Sequence, residues 1–321
     1  MSVAVPVRSG KVRDLYAVGD DRLLLVASDR LSAFDVVLPT PIPDKGRILT
    51  GLSRFWFAGT AGIVANHLLS TDPRNVPPDL LRAMGPGDGR GPRDPAALGG
   101  GAQPDGLRGR MMLVRRAEVL PVEVVVRGYL AGSGWKDYLA TGATGGHRLP
   151  TGLRDGDRLP RPLLTPATKA PPGEHDVNID FDTMAGLVGG PLAELVRDVA
   201  LRLYDHGARA CEAAGIILAD TKFEFGLDPA TRELLLVDEV MTPDSSRFWE
   251  AARHAPGGAQ PSFDKQYVRD WLETLDWDKT APGPPAPPDV VAGTRARYVE
   301  AYERITGASF ARYLQEDVIA A

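Results

Sequence analysis

The sequence predicts an α+β chain, and three observations predict it. A hairpin pattern of two apolar runs opens the chain, an amphipathic helical pattern occupies the region after residue 190, and a second hairpin follows it near residue 220. The second hairpin carries carboxylates and a lysine where strand faces should be apolar. Such groups are costly to bury unless they hold a metal, a charged ligand or each other.

In chain order, Lys11-Val-Arg-Asp-Leu-Tyr16 and Arg22-Leu-Leu-Leu-Val-Ala-Ser28 flank the turn signal Val18-Gly-Asp-Asp21. Ile48, Leu49, Leu52, Phe55 and Trp56 then recur at helical spacing behind Pro43-Asp44, so the first region reads as a small sheet with an attached helix. Residues 85–109 are rich in Gly and Pro and lack hydrophobic periodicity, which predicts a mobile surface insertion between two structured regions. Residues 111–114 and 122–127 read as strands, 128–139 as a helix with Trp135 and Tyr138 near its end, and 160–173 as a proline-rich loop. Leu192, Leu195, Val196, Val199 and Leu203 mark the amphipathic helix that Gly215 ends. Residues 262–271 read as a helix, 282–288 as a stiff linker and 294–314 as one closing helix.

Side chains alternate along a strand, so in Ile217-Leu-Ala-Asp-Thr-Lys-Phe-Glu-Phe-Gly226 the residues Asp220, Lys222 and Glu224 share one face. Thr221, Phe223 and Phe225 share the other. Leu227-Asp-Pro-Ala-Thr-Arg232 carries turn residues, and pairing Leu227 with Glu233 sets Asp238 opposite Lys222 and diagonal to Glu224. Diagonal neighbours lie roughly 7–8 Å apart, within reach of a shared Mg²⁺ that also holds phosphates. A slip of one residue would turn Asp238 to the other face. The alternative reading makes Lys222 a structural ion pair, with Asp238 and Glu239 solvated on an edge strand.

The whole chain narrows the classes. Its 321 residues suffice for one large or two ordinary domains, and 43% hydrophobic with 25% charged residues is ordinary for a soluble globular protein. A net charge of -5 gives no broad basic field for nucleic acid. The single cysteine, Cys211, excludes an internal disulfide and a thiolate metal site, and no secretory or membrane-spanning run is seen, so the cytoplasm is the expected compartment. His67, His147, His206 and His254 are scattered without metal-ligand spacing.

Seven segments occur in an order that resembles one family: Ser9-Gly-Lys-Val-Arg-Asp-Leu-Tyr16, Ser28-Asp-Arg-Leu-Ser-Ala-Phe-Asp35, Arg127-Gly-Tyr-Leu-Ala-Gly-Ser-Gly-Trp135, Thr165-Pro-Ala-Thr-Lys169, Gly173-Glu-His-Asp176, Thr242-Pro-Asp-Ser-Ser-Arg-Phe-Trp249 and Pro261-Ser-Phe-Asp-Lys-Gln-Tyr-Val-Arg-Asp-Trp271. Together they resemble the SAICAR synthetase family of de novo purine biosynthesis. The resemblance implies ATP-dependent condensation of carboxyaminoimidazole ribonucleotide with L-aspartate, giving the succinocarboxamide, ADP and phosphate. It also implies an ATP-grasp-like two-lobed fold with a kinase-like N-terminal lobe, divided as residues 1–110 and 111–321, acting with Mg²⁺ as a monomer or homodimer.

Residue by residue, Gly10, Lys11 and Arg13 look like a hairpin that covers the ATP phosphates, although Gly-Lys in a hairpin is also read as a plain turn with solvated charges. Arg116-Ala-Glu-Val119 resembles the linker that holds adenine, with Glu118, Val119 and Glu123 beside the nucleotide, and an edge strand with a solvated face is the other reading. Glu224 and Asp238 match the family's metal carboxylates, while Asp220 and Lys222 match positions beside the reacting groups. Arg127, Ser133, Arg247, Lys265 and Arg269 match positions for the ribonucleotide, joined by Ser28, Arg30 and Asp35. Taken alone, Lys265 and Arg269 read as a solvated helix face. The sequence departs from the family pattern at Val177, where an acidic residue is usual, and at Pro171-Pro172, so His175 and the aspartate pocket stay unassigned. A general base is not evident: Asp220 and substrate-assisted transfer to phosphate are both open. Two rival readings are a small-molecule kinase, for which a His-Arg-Asp loop is missing, and a non-catalytic nucleotide-binding relative.

Overall fold

The computed structural model describes residues 6–84, 104–169, 176–263 and 265–316. Strands β1 (Arg8–Ser9), β2 (Arg13–Val18), β3 (Arg22–Ala27), β4 (Ser32–Ala33) and β5 (Val36–Val37) precede helix α1 (Lys45–Gly59). Next come β6 (Ala65–Asn66), β7 (Leu68–Ser70), α2 (Pro78–Ala83), α3 (Pro104–Leu107), β8 (Met111–Arg115), β9 (Glu118–Val119) and β10 (Val122–Tyr129). Helix α4 (Gly132–Thr141) leads to β11 (Ala143–Thr144), β12 (His147–Arg148), β13 (Arg158–Leu164) and β14 (Ala167–Thr168). Helices α5 (Phe181–Val188) and α6 (Gly190–Ala213) are followed by β15 (Ile216–Leu227), β16 (Leu234–Val237) and β17 (Ser246–Glu250), and then by α7 (Gln266–Leu272), α8 (Pro288–Thr306) and α9 (Phe310–Glu316). The mixture of helix and sheet is the expected α+β class. Most of the expected insertion, residues 85–103, lies outside the described residues, as do His175 and Pro171-Pro172.

Contacts divide the chain into two compact units: residues 1–55, 67–116 and 264–321 in the first, 56–66 and 117–263 in the second. This differs from the expected division at residue 110, because the C-terminal helices group with the N-terminal segment. The first unit has a five-stranded sheet in the order β1-β2-β3-β8-β7. Tyr16, Val18, Leu24, Val26, Met111 and Leu113 form one of its apolar cores, as the hairpin pattern required. Its other core joins Leu31, Leu38 and Ile42 to Val268, Leu272 and Val290 of α7 and α8. The expected single helix over 294–314 is two, because Gly307 adopts φ +67° and caps α8 in the left-handed region.

In the second unit the sheet runs β13-β10-β15-β16-β6, with β14 also on β10 and β9 and β17 also on β15. The expected loop over 160–173 overlaps the end of β13, whose prolines Pro160 and Pro162 are tolerated because the strand lies at the sheet edge. The expected helix over 128–139 starts later, at Gly132, because β10 keeps pairing through Tyr129.

Helix α6 packs along β15, burying Val196, Val199, Ala200 and Leu203, although Leu195 stays exposed. Tyr204 Oη donates to the carbonyl of Leu218 at 2.6 Å, and a Cβ on Gly128 would stand 1.9 Å from that oxygen. Gly128→Ala is therefore expected to destabilise the protein by about 1–3 kcal/mol, read by urea denaturation. Adding Tyr204→Phe, which removes the clashing oxygen, should cost less than the sum of the single changes. Full additivity would show that the close approach is not the cause. Among the described residues no helix is long and apolar enough to cross a membrane.

Candidate active site

The central strand pair of the second unit sets the site. β10 and β15 are antiparallel with Val125 opposite Lys222 and Arg127 opposite Asp220, so Glu123 and Arg127 share a face with Asp220, Lys222 and Glu224. Val124, Val126, Phe223 and Phe225 are buried on the other face, the separation that alternation predicted.

At one end of this face Asp220 is clamped. Its Oδ2 accepts from Arg127 Nη1 at 2.9 Å and from Arg247 Nη1 at 2.5 Å, Arg247 being its direct partner on β17. Arg127 is only 3% exposed; its Nε donates to Thr165 Oγ1 at 2.9 Å and its Nη2 to Ser133 Oγ at 2.8 Å. Burial pulls the pKa of this guanidinium down, and Asp220 opposes the shift. Two cations meeting one carboxylate leave a net positive group, suited to a phosphate or carboxylate. Gly132 and Gly134 make room for it. A Cβ at Gly132, which has φ +56°, would lie 2.1 Å from Arg247 Nη2, and one at Gly134 would lie 3.1 Å from the Arg127 side chain. Ser133 stands in the first turn of α4.

At the other end Lys222 Nζ donates to Glu123 at 2.5 Å and faces Glu224 at 3.6 Å, while Glu224 is also ion-paired to Lys169. Burial alone would depress the Lys222 ammonium, but Glu224, Glu123 and Asp238 outweigh it and raise its pKa. Burial raises the Glu123 carboxyl, against the pull of Lys222.

The hairpin register is corrected by one residue. Leu227 pairs with Leu234 and Glu224 with Val237, so continued alternation would turn Asp238 to the face of Phe223. β16 ends at Val237, however, and Asp238 takes φ +64°, which breaks the alternation. Its charge still acts on Lys222. Glu123 and Glu224 thus flank the ammonium of Lys222, with the charge of Asp238 acting on it as well, and Glu224 and Asp238 are hard-oxygen groups of the kind a divalent cation takes. Among the described residues, no three His, Cys, Asp or Glu side chains form a protein-only metal cage. A pair of carboxylates is the donor set Mg²⁺ shares with phosphates and water.

Two other second-unit candidates stand apart in exposure. Glu118 is exposed and ion-paired with Arg232, and Val119 is exposed on β9, whose backbone pairs with Gly226 and Leu227.

The first unit carries the remaining candidates. Gly10 and Lys11 lie in the tight turn between β1 and β2, where Gly10 N–H donates to the carbonyl of Arg13 at 2.7 Å. β2 starts at Arg13, so Lys11 lies outside the strand: it is exposed and paired with Asp35, whereas Arg13 is buried. Arg30 braces the turn, donating to the carbonyls of Lys11 and Gly10 at 3.1 and 3.2 Å and to Asp14. Ser28 Oγ donates to the carbonyl of Val12 at 2.8 Å. Arg116 is exposed, and its N–H donates to the carbonyl of Asp21. Lys265 caps α7 and Arg269 follows one turn on.

The motif of Thr165 and Lys169 points to a loop over the substrates, but a local sequence does not say which strand each side chain reaches: Thr165 meets Arg127 and Lys169 meets Glu224. Asp155, whose carboxyl burial raises and Arg247 lowers, gave no signal at all.

Fold and site define a class: an α+β protein whose sheet presents a half-buried face of interleaved cations and carboxylates, a chemistry suited to charged ligands. A family model described as SAICAR synthetase matches residues 6–284. A phosphoribosylaminoimidazole-succinocarboxamide synthase from Thioalkalivibrio sulfidiphilus is 54% identical over 303 residues, 94% of this chain and 95% of the relative. One from Geobacter sulfurreducens is 51% identical over 298 residues, 93% of each. The SAICAR synthase structure from Saccharomyces cerevisiae, complexed with SAICAR, superposes with a TM-score of 0.80 at 41% identity over 96% of each chain. The chain belongs to the SAICAR synthetase family.

Proposed function

We propose that this chain ligates L-aspartate to the carboxylate of carboxyaminoimidazole ribonucleotide at the expense of ATP, giving SAICAR, ADP and phosphate in purine biosynthesis. The observation that carries the reading is near full-length identity above half to relatives of that name, with the Asp220, Lys222 and Glu224 face intact.

A carboxylate does not accept an amine directly in neutral water, because oxide would have to leave. In the reaction proposed, a carboxylate oxygen of the ribonucleotide attacks the γ-phosphorus of ATP and ADP departs. The aspartate amine then attacks the acyl carbon of that mixed anhydride, phosphate leaves, and the amine loses a proton. Lys222 is placed to meet the transferring phosphoryl oxygens, and Arg127, Ser133 and Arg247 to hold an anionic end of the ribonucleotide. Asp220 suits a counter-ion better than a base, since both arginines donate into its Oδ2. The departing phosphate is then the proton acceptor.

Glu224 and Asp238 would hold Mg²⁺, which neutralises phosphate charge when bound. Gly10, Lys11 and Arg13 are assigned to ATP phosphates, and Arg116, Glu118, Val119 and Glu123 to the rest of the nucleotide. Ser28, Arg30, Asp35, Lys265 and Arg269 are assigned to substrate. The reading includes an ATP-grasp-like fold with a kinase-like N-terminal lobe, which the five-stranded sheet of the first unit supports. It also includes a cytoplasmic setting and a monomer or homodimer.

The test is ADP release with ATP, Mg²⁺ and the ribonucleotide, with and without L-aspartate, while mass spectrometry follows the succinocarboxamide. Aspartate-dependent ADP with one equivalent of product is expected. ADP and a stable phosphorylated product without aspartate would make the protein a kinase. Arg247→Ala should raise KM for the ribonucleotide and leave that for ATP near its starting value, and the reverse pattern would reassign Arg247.

A further inference from the structure

Lys169 has no part in the reaction as derived above, yet its position is closely fixed. β14 pairs with Val122 and Glu123 at the start of β10, and the N–H of Lys169 donates to the carbonyl of Pro121 at 3.3 Å. From there its ammonium reaches β15 and ion-pairs with Oε2 of Glu224. Lys222 faces the other oxygen of that carboxylate at 3.6 Å, but its short contact, 2.5 Å, is with Glu123. The two lysines are therefore unequal: Lys222 is anchored through Glu123, whereas Lys169 covers the carboxylate assigned to the metal.

We propose that Lys169 is a resident counter-cation of Glu224 that a divalent cation must displace, so that it holds down the metal affinity of the ligand-free protein. The proposal rests on the reading of Glu224 as a metal carboxylate. The side chains of Lys169 and Glu224 are 25% and 13% exposed, so solvent and salt screen the pair weakly. An ammonium and a divalent cation on one carboxylate oxygen then repel strongly, and one has to leave. The lysine, a compact charge on a flexible four-carbon stem, is the one able to swing away. Until then it neutralises Glu224, which sits beside Glu123 and would otherwise repel it. Loading the metal transfers that neutralisation from the side chain to the ion.

Mn²⁺ binding to the nucleotide-free protein, followed by loss of the free-ion EPR signal, tests the competition. Lys169→Ala is expected to bind Mn²⁺ about tenfold more tightly, the size of one partly buried charged contact. Lys169→Arg, which keeps the cation, should stay near the parent value, as should Lys279→Ala, which removes a charge from a surface pair with Glu273. Lys169→Gln serves in place of alanine if thermal unfolding shows that the alanine variant does not fold. Unchanged or weaker binding in Lys169→Ala and Lys169→Gln, with Glu224→Gln still abolishing binding, would overturn the competition while leaving Glu224 as a ligand. Undiminished binding in Glu224→Gln would overturn both.

Discussion

Asp220→Ala is expected to destabilise the second unit by about 3–5 kcal/mol, because it leaves the buried guanidinium of Arg127 without its carboxylate. Thr165 and Ser133 would still accept from Arg127, but neither carries charge. Arg247 would lose the same partner, and, being partly exposed, could turn to solvent. Asp220→Asn keeps an acceptor of the same shape and should fall between the parent and the alanine variant. Urea unfolding curves with matched slopes measure the loss, and steady-state kinetics should show KM for the ribonucleotide rising in step. A loss below about 1 kcal/mol, the range of exposed ion pairs, would mean that the clamp is not the buried charge cluster described.

Lys222→Met should lower kcat on the order of 100- to 1000-fold, the usual cost of removing one charge donor from a developing anion. Methionine preserves most of the volume, so packing changes little. KM for aspartate should change far less than kcat, because the effect belongs to the transition state. The same variant separates the two readings of Lys222. A purely structural ion pair predicts reduced stability with turnover retained. The proposed role predicts lost turnover whether or not stability also falls.

Much of this site was legible because strand alternation is a strict rule. Asp220, Lys222 and Glu224 could be put on one face from spacing alone, and the pairing of β15 with β10 bears this out. The hairpin register was not legible, because a turn of several residues can close in more than one way. Here Asp228 N–H bonds to the carbonyl of Glu233, which shifts the ladder by one residue from the expected pairing. Asp238 follows the end of β16 in a left-handed backbone conformation, φ +64°, and aspartate gives no firm sign of adopting one. The prolines of β13 misled for a different reason. Proline argues against a central strand, and nothing local says that a strand will lie at an edge. Lys169, Thr165 and Asp155 were hidden because their importance lies in partners far away in sequence.

The grouping of α7 and α8 with the N-terminal segment bears on how the chain is made. Leu31, Leu38 and Ile42 emerge early from a ribosome, at roughly 5–20 residues per second, yet they complete their core only with Val268, Leu272 and Val290. All of residues 56–66 and 117–263 are synthesised before those partners appear. The unit bearing the charged strand pair can therefore form on the nascent chain while Leu31, Leu38 and Ile42 still await their partners, which leaves those apolar side chains open to misassembly in that interval.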